Sequence, residues 1–310
     1  MNWKTKATIQ KTIAFLPDTL ANHVYYLLQR NFGNCKNFEP WDKIEMATKI
    51  LNTIDKKGYE TKNKLFFEVG TGSAPVMPIC FWLAGNRTIT VDQNRYLKQS
   101  LIKNTIITMK KDTDRVVNLF GDLLDIERFN KLLSVADQNI NILDILTMCE
   151  IEYLAPYNAA KTELVDKQID FHISNAVYEH IPIDILQDII IEGNRITKND
   201  ALFINNIDYR DHFAHGSDDI SIINFLQYNE IKWNKLAGNK YSYCNRARHD
   251  DYIKIFEKAN HIFVDIIAST SNELLELIKK GNFQFDEKFI YKDPIVLATI
   301  SAFFVTKKSF

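Results

Sequence analysis

The sequence predicts an α/β protein built on a doubly wound, mostly parallel sheet, with a helical cap ahead of the sheet and insertions within it. Three observations carry that prediction. From Lys64 onward, short apolar runs alternate with helical stretches, the texture of a parallel sheet covered on both faces. The first of these runs enters a glycine-containing turn directly. Residues 5–60, by contrast, carry their apolar side chains at helical spacing.

Taken in order, Leu20, Val24, Leu27 and Leu28, then Ile44, Ala47, Ile50, Leu51 and Ile54, mark helices broken at Pro17, Gly33 and Pro40. Residues 1–60 are therefore expected as a helical cap, packed against the sheet or closing over a substrate. The main domain is expected over 61–310. Its strands fall at 65–69, 88–91, 170–174 and 201–205, followed by a late pair at 261–268 and 298–306. A helical segment at 272–280 and a loop containing Gly281 and Pro294 join that pair. Residues 101–150 and 207–260 are longer than simple crossovers need and read as insertions, the second on the substrate side. No internal repeat or low-complexity tract interrupts this order.

Composition narrows the function classes. The 310 residues are 46% hydrophobic and 25% charged, as in ordinary globular proteins. Lys and Arg total 38 against 39 Asp and Glu, a net charge of -1, so no bulk field favours nucleic acid or an anionic membrane. No apolar run approaches the roughly 18 residues of a spanning helix, and the first residues lack a signal-peptide core, so a cytoplasmic protein without membrane insertion is expected. Cys35, Cys80, Cys149 and Cys244 show neither a C-x-x-C pair nor a zinc-ligand spacing and are expected as reduced, mostly buried thiols.

The sharpest motif is Leu65-Phe66-Phe67-Glu68-Val69-Gly70-Thr71-Gly72-Ser73-Ala74, a buried strand followed by a turn of small residues and then a helix. Such a turn lets a ligand approach the backbone at the carboxyl edge of a sheet. Asp92 closes the next strand, where a carboxylate can accept both hydroxyls of a ribose. A nicotinamide site would satisfy the same two features. A third stretch, residues 169–182, runs Ile-Asp-Phe-His-Ile-Ser-Asn-Ala-Val-Tyr-Glu-His-Ile-Pro, a strand ending in small polar residues before an acidic residue and a histidine.

Residues 64–206, with these motifs in this order, resemble class I S-adenosylmethionine-dependent methyltransferases, in particular the family whose fourth strand ends in Ser-x-x-Val-Leu-Glu-His-Ile. Here that phrase is Ser174 to Ile181, with Tyr178 replacing Leu. The resemblance implies a Rossmann-like seven-stranded sheet and S-adenosyl-L-methionine as cofactor, with S-adenosyl-L-homocysteine as product. It implies that Glu68, Gly70, Thr71 and Gly72 hold the methionine part, that Asp92 and Gln93 hold the ribose, and that Asn175 borders the cofactor. The family's Asp-Ala step at the adenine is matched by Asn158-Ala159, where the amide oxygen can still accept from the adenine amino group. Gly121-Asp122 has a similar look but lies far from the fourth strand.

Beyond the fifth strand, the Asp211-His212-Phe213 segment and the Asn245-Arg246-Ala247-Arg248 segment resemble bacterial methyltransferases associated with polysaccharide biosynthesis. That resemblance implies a small polar acceptor, a sugar or a phosphorylated or nucleotide-linked precursor of a surface glycan, methylated on O or N. Methyl transfer needs an in-line nucleophile and, for a hydroxyl, removal of its proton. His180 and His212 are the candidate catalytic bases, since imidazole titrates near neutral pH. Glu179, Tyr209 and His215 are candidates for acceptor contacts, and Arg246 and Arg248 for clamping an anionic group on it. The plainer alternatives are structural histidines, ion pairs of the arginines with Asp250 and Asp251, and a packing role for Tyr209, Phe213, Tyr228 and Trp233. No metal is expected, because the acids and histidines around 208–219 match no recognised ligand spacing.

Two other functions remain open. A nicotinamide-dependent oxidoreductase would use the same fold, although Pro75 stands where the third glycine of its fingerprint belongs. A non-catalytic scaffold with a methyltransferase-like fold would need no turnover, although the set Glu68, Gly70, Gly72 and Asp92 is intact.

Overall fold

The computed structural model describes residues 2–32, 38–217 and 219–309, so the expectation for Cys35 lies outside the described residues. Helices α1 (Trp3–Ala14), α2 (Asp18–Phe32) and α3 (Trp41–Lys56) come first. Strand β1 (Leu65–Val69), α4 (Val76–Leu83) and β2 (Arg87–Val91) follow, then α5 (Gln99–Lys111), α6 (Thr113–Phe120), α7 (Ile126–Ser134) and α8 (Ile142–Met148). After β3 (Ile151–Leu154) and β4 (Ile169–Asn175) come α9 (Ile183–Ile196), β5 (Thr197–Asp208), α10 (Glu230–Ala237) and α11 (His249–Lys258). The chain closes with β6 (His261–Thr270), α12 (Asn272–Lys279), α13 (Pro294–Ala298) and β7 (Thr299–Lys308).

The seven strands form one sheet in the order β3-β2-β1-β4-β5-β7-β6. β1 pairs in parallel with β2 and with β4, and β2 in parallel with β3. β6 and β7 are antiparallel, running from His261 opposite Lys308 to Thr270 opposite Thr299. The doubly wound seven-stranded sheet expected from the sequence is therefore present, with the late pair closing one side. β3 is the strand that the sequence does not announce: it has four residues and only Ile151 is buried, so it offers no apolar run.

Two compact units make up the chain: Asn37–Ser174 with Ile189–Ile204, and Met1–Lys36 with Asn175–Asp188 and Asn205–Phe310. The first, here the early-strand unit, holds β1 to β3 and most of β4; the second, the late-strand unit, holds β6 and β7. The helices of residues 1–60 do not share a unit, since α1 and α2 belong to the late-strand unit and α3 to the early-strand unit.

In the early-strand unit, β1 is buried on both faces, and Phe66 stacks on Phe81 at 4.2 Å between ring centroids. All eight residues of α4 are buried, which suits a helix that is apolar all round. Ile44, Ala47, Ile50, Leu51 and Ile54 form the buried stripe of α3, as the spacing predicts. Asp112, Asp125 and Asn141 cap α6, α7 and α8 by accepting backbone N–H groups, so residues 101–150 are ordered helices.

The late-strand unit has its own core. Trp3 and Ala7 of α1 join Phe213, Ile223, Phe225, Leu226 and Trp233 in it. Trp233 meets Phe225 edge-on at 5.8 Å and stacks on Tyr228 at 6.0 Å, so the aromatics of 207–260 are packing residues. Cys80, Cys149 and Cys244 are free and buried. Among the described residues no helix is long and apolar enough to cross a membrane.

Candidate functional site

Two clusters of functional side chains emerge, one in each unit. The first is built on the turn after β1. Gly70 and Gly72 have φ of 93° and 73°, in the region that favours glycine, so both glycines of the motif are needed by the backbone. The Gly72 N–H donates to Asp92 Oδ2 at 3.0 Å, and the Gly70 N–H donates to the Val91 carbonyl at 2.9 Å. These bonds fasten the turn to the end of β2. Below it, Thr90 Oγ1 donates to Glu68 Oε2 at 2.5 Å and lies 2.5 Å from Thr71 Oγ1. Thr71 is buried and its hydroxyl is taken by this chain, which leaves only its backbone for a ligand.

Burial pushes both carboxyls of this cluster up. Glu68 rises to about 7, with the Thr90 hydrogen bond and the charge of Lys43 opposing the shift. Asp92 also rises to about 7 for the same reason, against the hydrogen bond from Gly72. Lys43, on α3, was not foreseen. Its ammonium lies 3.6 Å from where a Cβ on Gly72 would stand. Burial lowers its pKa while Glu68 and Asp92 pull it back up. The sequence signal was slight: a lysine just before the apolar stripe of α3, in a segment read as a cap with no cofactor contact.

The raised carboxyls have a consequence for stability. Glu68 titrates near 4.3 in an unfolded chain and at about 7 when folded, so the folded state holds an extra proton between those values. Its contribution is present at low pH and is lost as pH rises through about 7. Denaturant unfolding of the ligand-free protein from pH 5.5 to 8 is expected to show stability falling by up to about 1.4 kcal/mol per pH unit from this group. Glu68→Gln is expected to flatten that slope, and an unchanged slope in the variant would reject the assignment.

Asn158 and Ala159, expected at the adenine, follow the end of β2 in space. The Tyr157 N–H donates to the Asp92 carbonyl at 2.9 Å, which brings Asn158 and Ala159 beside the end of β2. Asn158 is exposed and its Oδ1 accepts the Ala160 N–H at 3.0 Å in a local turn. Gly121-Asp122 lies elsewhere: the Asp125 N–H bonds Leu83 at the carboxyl end of α4, away from the turn that precedes that helix. Gln93 is exposed next to Asp92.

The second cluster belongs to the late-strand unit. Asn175 Oδ1 accepts from Asn206 Nδ2 at 2.9 Å, and a 3-10 turn over Tyr178–His180 follows. Asn245 clamps that turn: its Nδ2 donates to the Tyr178 and Ile181 carbonyls, each at 2.9 Å, and its N–H donates to the Glu179 carbonyl at 2.8 Å. His180 Nδ1 donates to the Tyr243 carbonyl at 2.9 Å. A carbonyl only accepts, so this bond fixes the proton on Nδ1 and leaves Nε2 with its lone pair. The His212 ring lies 4.7 Å from that of His180 and 4.9 Å from that of His215.

Two carboxylates flank these imidazoles. Asp208 takes a fork from Arg210, Nε to Oδ1 at 2.9 Å and Nη2 to Oδ2 at 2.8 Å. Burial would raise Asp208, but the Arg210 bonds and charge prevail and hold it below its ordinary value. Glu179 is 1% exposed and neither carboxylate oxygen completes a hydrogen bond among the described residues. Burial, with the charge of Asp208 added, pushes it up to about 8. Burial also drives His212 well below its ordinary value, reinforced by His180 and opposed by Asp208. Burial lowers His180 as well, without so large a shift, so His212 is the poorer candidate of the two for the catalytic-base role.

Three expected acceptor contacts are corrected. Arg248 is 0% exposed: its Nη1 donates to the Tyr209 carbonyl at 2.6 Å and its Nη2 to the Leu297 and Thr299 carbonyls at 2.9 and 2.6 Å. Arg246 donates to the Phe225 and Tyr228 carbonyls and to Glu230 Oε2 at 2.7 Å. Neither guanidinium is available to clamp an anion, and the expected ion pairs with Asp250 and Asp251 are made by Lys292 instead. The Asn-Arg-x-Arg segment is a structural clasp. Tyr209 is likewise buried, packed on Tyr252 at 5.5 Å, and does not offer its ring to a sugar. His215 is the more open member of the histidine cluster, with Nε2 3.6 Å from Asp208 Oδ2.

No protein-family model matches this chain, and no curated protein does. Similar solved structures include geranyl diphosphate C-methyltransferase from Streptomyces coelicolor A3(2), solved with S-adenosyl-L-homocysteine among its ligands, at 11% identity. That likeness covers 84% of this chain and 78% of that one, with a TM-score of 0.46. A SAM-dependent methyltransferase from Methanosarcina mazei is 11% identical over 82% of this chain and 96% of that one, TM-score 0.47. The PH0226 protein from Pyrococcus horikoshii OT3 is 13% identical over 92% and 98%, TM-score 0.49. Likeness at this level reaches no further than the fold.

Proposed function

We propose that the chain is an S-adenosylmethionine-dependent methyltransferase acting on a hydroxyl or amine of a small polar acceptor. One observation supports this above the others: Asp92, at the end of β2, accepts the Gly72 N–H of the turn at 3.0 Å, so the glycine turn and a carboxylate suited to ribose hydroxyls meet at one point of the sheet's edge. Glu68 beneath the turn suits the cofactor's amino group, and Lys43 supplies a cation for its carboxylate. When bound, the cofactor supplies an activated methyl group on a sulfonium. The protein has to bind it, align the acceptor and accept a proton.

Proton removal is assigned to His180. Its Nδ1–H is held by Tyr243 and its Nε2 is the free lone pair, the tautomer a base requires. The loss of Arg246 and Arg248 as clamps takes away the main reason to expect a charged acceptor. A neutral hydroxylated molecule, such as a sugar of a surface-glycan precursor, fits better, and the likeness of the 208–252 segment to polysaccharide-associated methyltransferases supports that choice.

The test is calorimetric titration of the full chain with S-adenosylhomocysteine and, separately, with reduced nicotinamide dinucleotide. Binding of the first alone is expected; binding of the second alone would replace this reading with an oxidoreductase. In the same series Lys43→Met is expected to weaken S-adenosylhomocysteine about tenfold or more, the loss of one charge-assisted contact. Unchanged or tighter binding would mean that Lys43 merely fills the site.

A further inference from the structure

We propose that Glu179, His180 and His212, with Asp208 and His215 beside them, form a binding site for one divalent transition-metal ion. The ligating atoms of Glu179, His180 and His212 lie within 4.8 Å of one another, as do those of Asp208, His212 and His215. Ligands on opposite sides of such an ion stand about 4.2 Å apart and adjacent ones closer, so closure asks for movements of no more than about 1 Å at two half-exposed imidazoles.

The second observation is independent of that spacing. Glu179 is 1% exposed, and both its oxygens lack a hydrogen-bond partner among the described residues. A buried carboxylate without a partner is costly, and proteins resolve that cost with a donor or a cation. His212 Nε2 is buried, completes no hydrogen bond among the described residues and lies 3.8 Å from Asp208 Oδ2. Arg210, whose charge also acts on the cluster, is committed to Asp208 by its fork.

The surroundings also orient the ligands. The bond from His180 Nδ1–H to the Tyr243 carbonyl aims Nε2 as the donor atom, the arrangement that outer-shell partners impose on metal-bound histidines. Asn245 fixes the Tyr178–His180 turn that carries two of the ligands. Imidazole with carboxylate selects zinc, iron, cobalt, nickel or manganese over the all-oxygen preferences of magnesium and calcium. Two histidines and one carboxylate leave positions open for oxygen atoms of the acceptor. In that form, which rests on the methyl-transfer reading, the imidazoles would be ligands, and an ion held by them would acidify the bound acceptor hydroxyl, whose proton would pass to solvent water as the methyl group moves from sulfur to oxygen.

The experiment uses the full chain freed of any affinity tag and stripped with a chelator, titrated with Co(II) and followed by visible absorption and calorimetry. One ion per chain is expected, with a d–d band and no displacement by equimolar Mg(II). Glu179→Gln and His212→Ala, each checked for a native circular-dichroism spectrum, are expected to weaken Co(II) at least tenfold. Should Glu179→Gln fail to fold, His212→Ala and the open-sited His215→Ala carry the test. Absence of Co(II) binding by the wild type, or binding that these substitutions leave unchanged, overturns the proposal. The readout uses metal alone, so its failure is distinct from a failure to bind S-adenosylhomocysteine.

Discussion

Replacing Arg248 by Met is expected to cost the fold about 3–5 kcal/mol, the largest effect of any single substitution considered for this protein. The guanidinium is fully buried and its Nη donors go to the carbonyls of Tyr209, Leu297 and Thr299. Substituting a buried charge together with its partner by apolar groups is often neutral, but here the partners are backbone carbonyls that no substitution removes. Each is left buried and unsatisfied at about 1–3 kcal/mol. The three carbonyls lie after β5, at the end of α13 and at the start of β7, so the loss falls on the joint that fixes those elements within their unit. Urea unfolding of Arg248→Met and Arg248→Lys measures it. Lysine, with a point charge in place of a fork, is expected to recover only a minor part. A loss below about 1 kcal/mol in Arg248→Met would return Arg248 to the pool of candidate anion clamps.

Asp92→Ala is expected to weaken S-adenosylhomocysteine roughly thirtyfold to a thousandfold, or about 2–4 kcal/mol. Two effects combine in that figure. The carboxylate disappears as acceptor for the ribose, and the Gly72 N–H loses its 3.0 Å partner, so the turn is no longer held to β2. Asp92→Asn separates them. An amide oxygen can keep the Gly72 bond but offers one acceptor where the carboxylate offers two, and an intermediate loss is expected. The measurement is calorimetric titration at pH 8, where the group that burial raises to about 7 is ionised. Wild-type affinity in Asp92→Ala would remove the ribose role and with it the main support for a nucleoside cofactor.

Much of the early-strand unit was legible in the sequence because its signals are local. An apolar run buried on both faces, two glycines held at positive φ and a carboxylate at the next strand's end each state a requirement of their own few residues. The buried stripe of α3 is of the same kind. β3 escaped because a four-residue edge strand with one buried position carries no periodicity to read. Lys43 escaped because a lysine beside a helix stripe looks the same whether it faces solvent or, as here, Gly72.

The late-strand unit reversed several expectations for a physical reason. A sequence motif gives the kinds of side chain present but not which groups satisfy them. Arg246 and Arg248 looked like an anion clamp, and both found backbone carbonyls instead, as did Asn245. Glu179, far earlier in the chain, has no hydrogen-bond partner for its carboxylate oxygens among the described residues. By itself the sequence determined the strand order's local units, the turn conformation and the chemistry on offer, because these depend on neighbours in the chain. Only the tertiary structure decided which polar groups are consumed by the fold and which stay free for a ligand, because burial and hydrogen-bond partners are set by residues tens of positions apart.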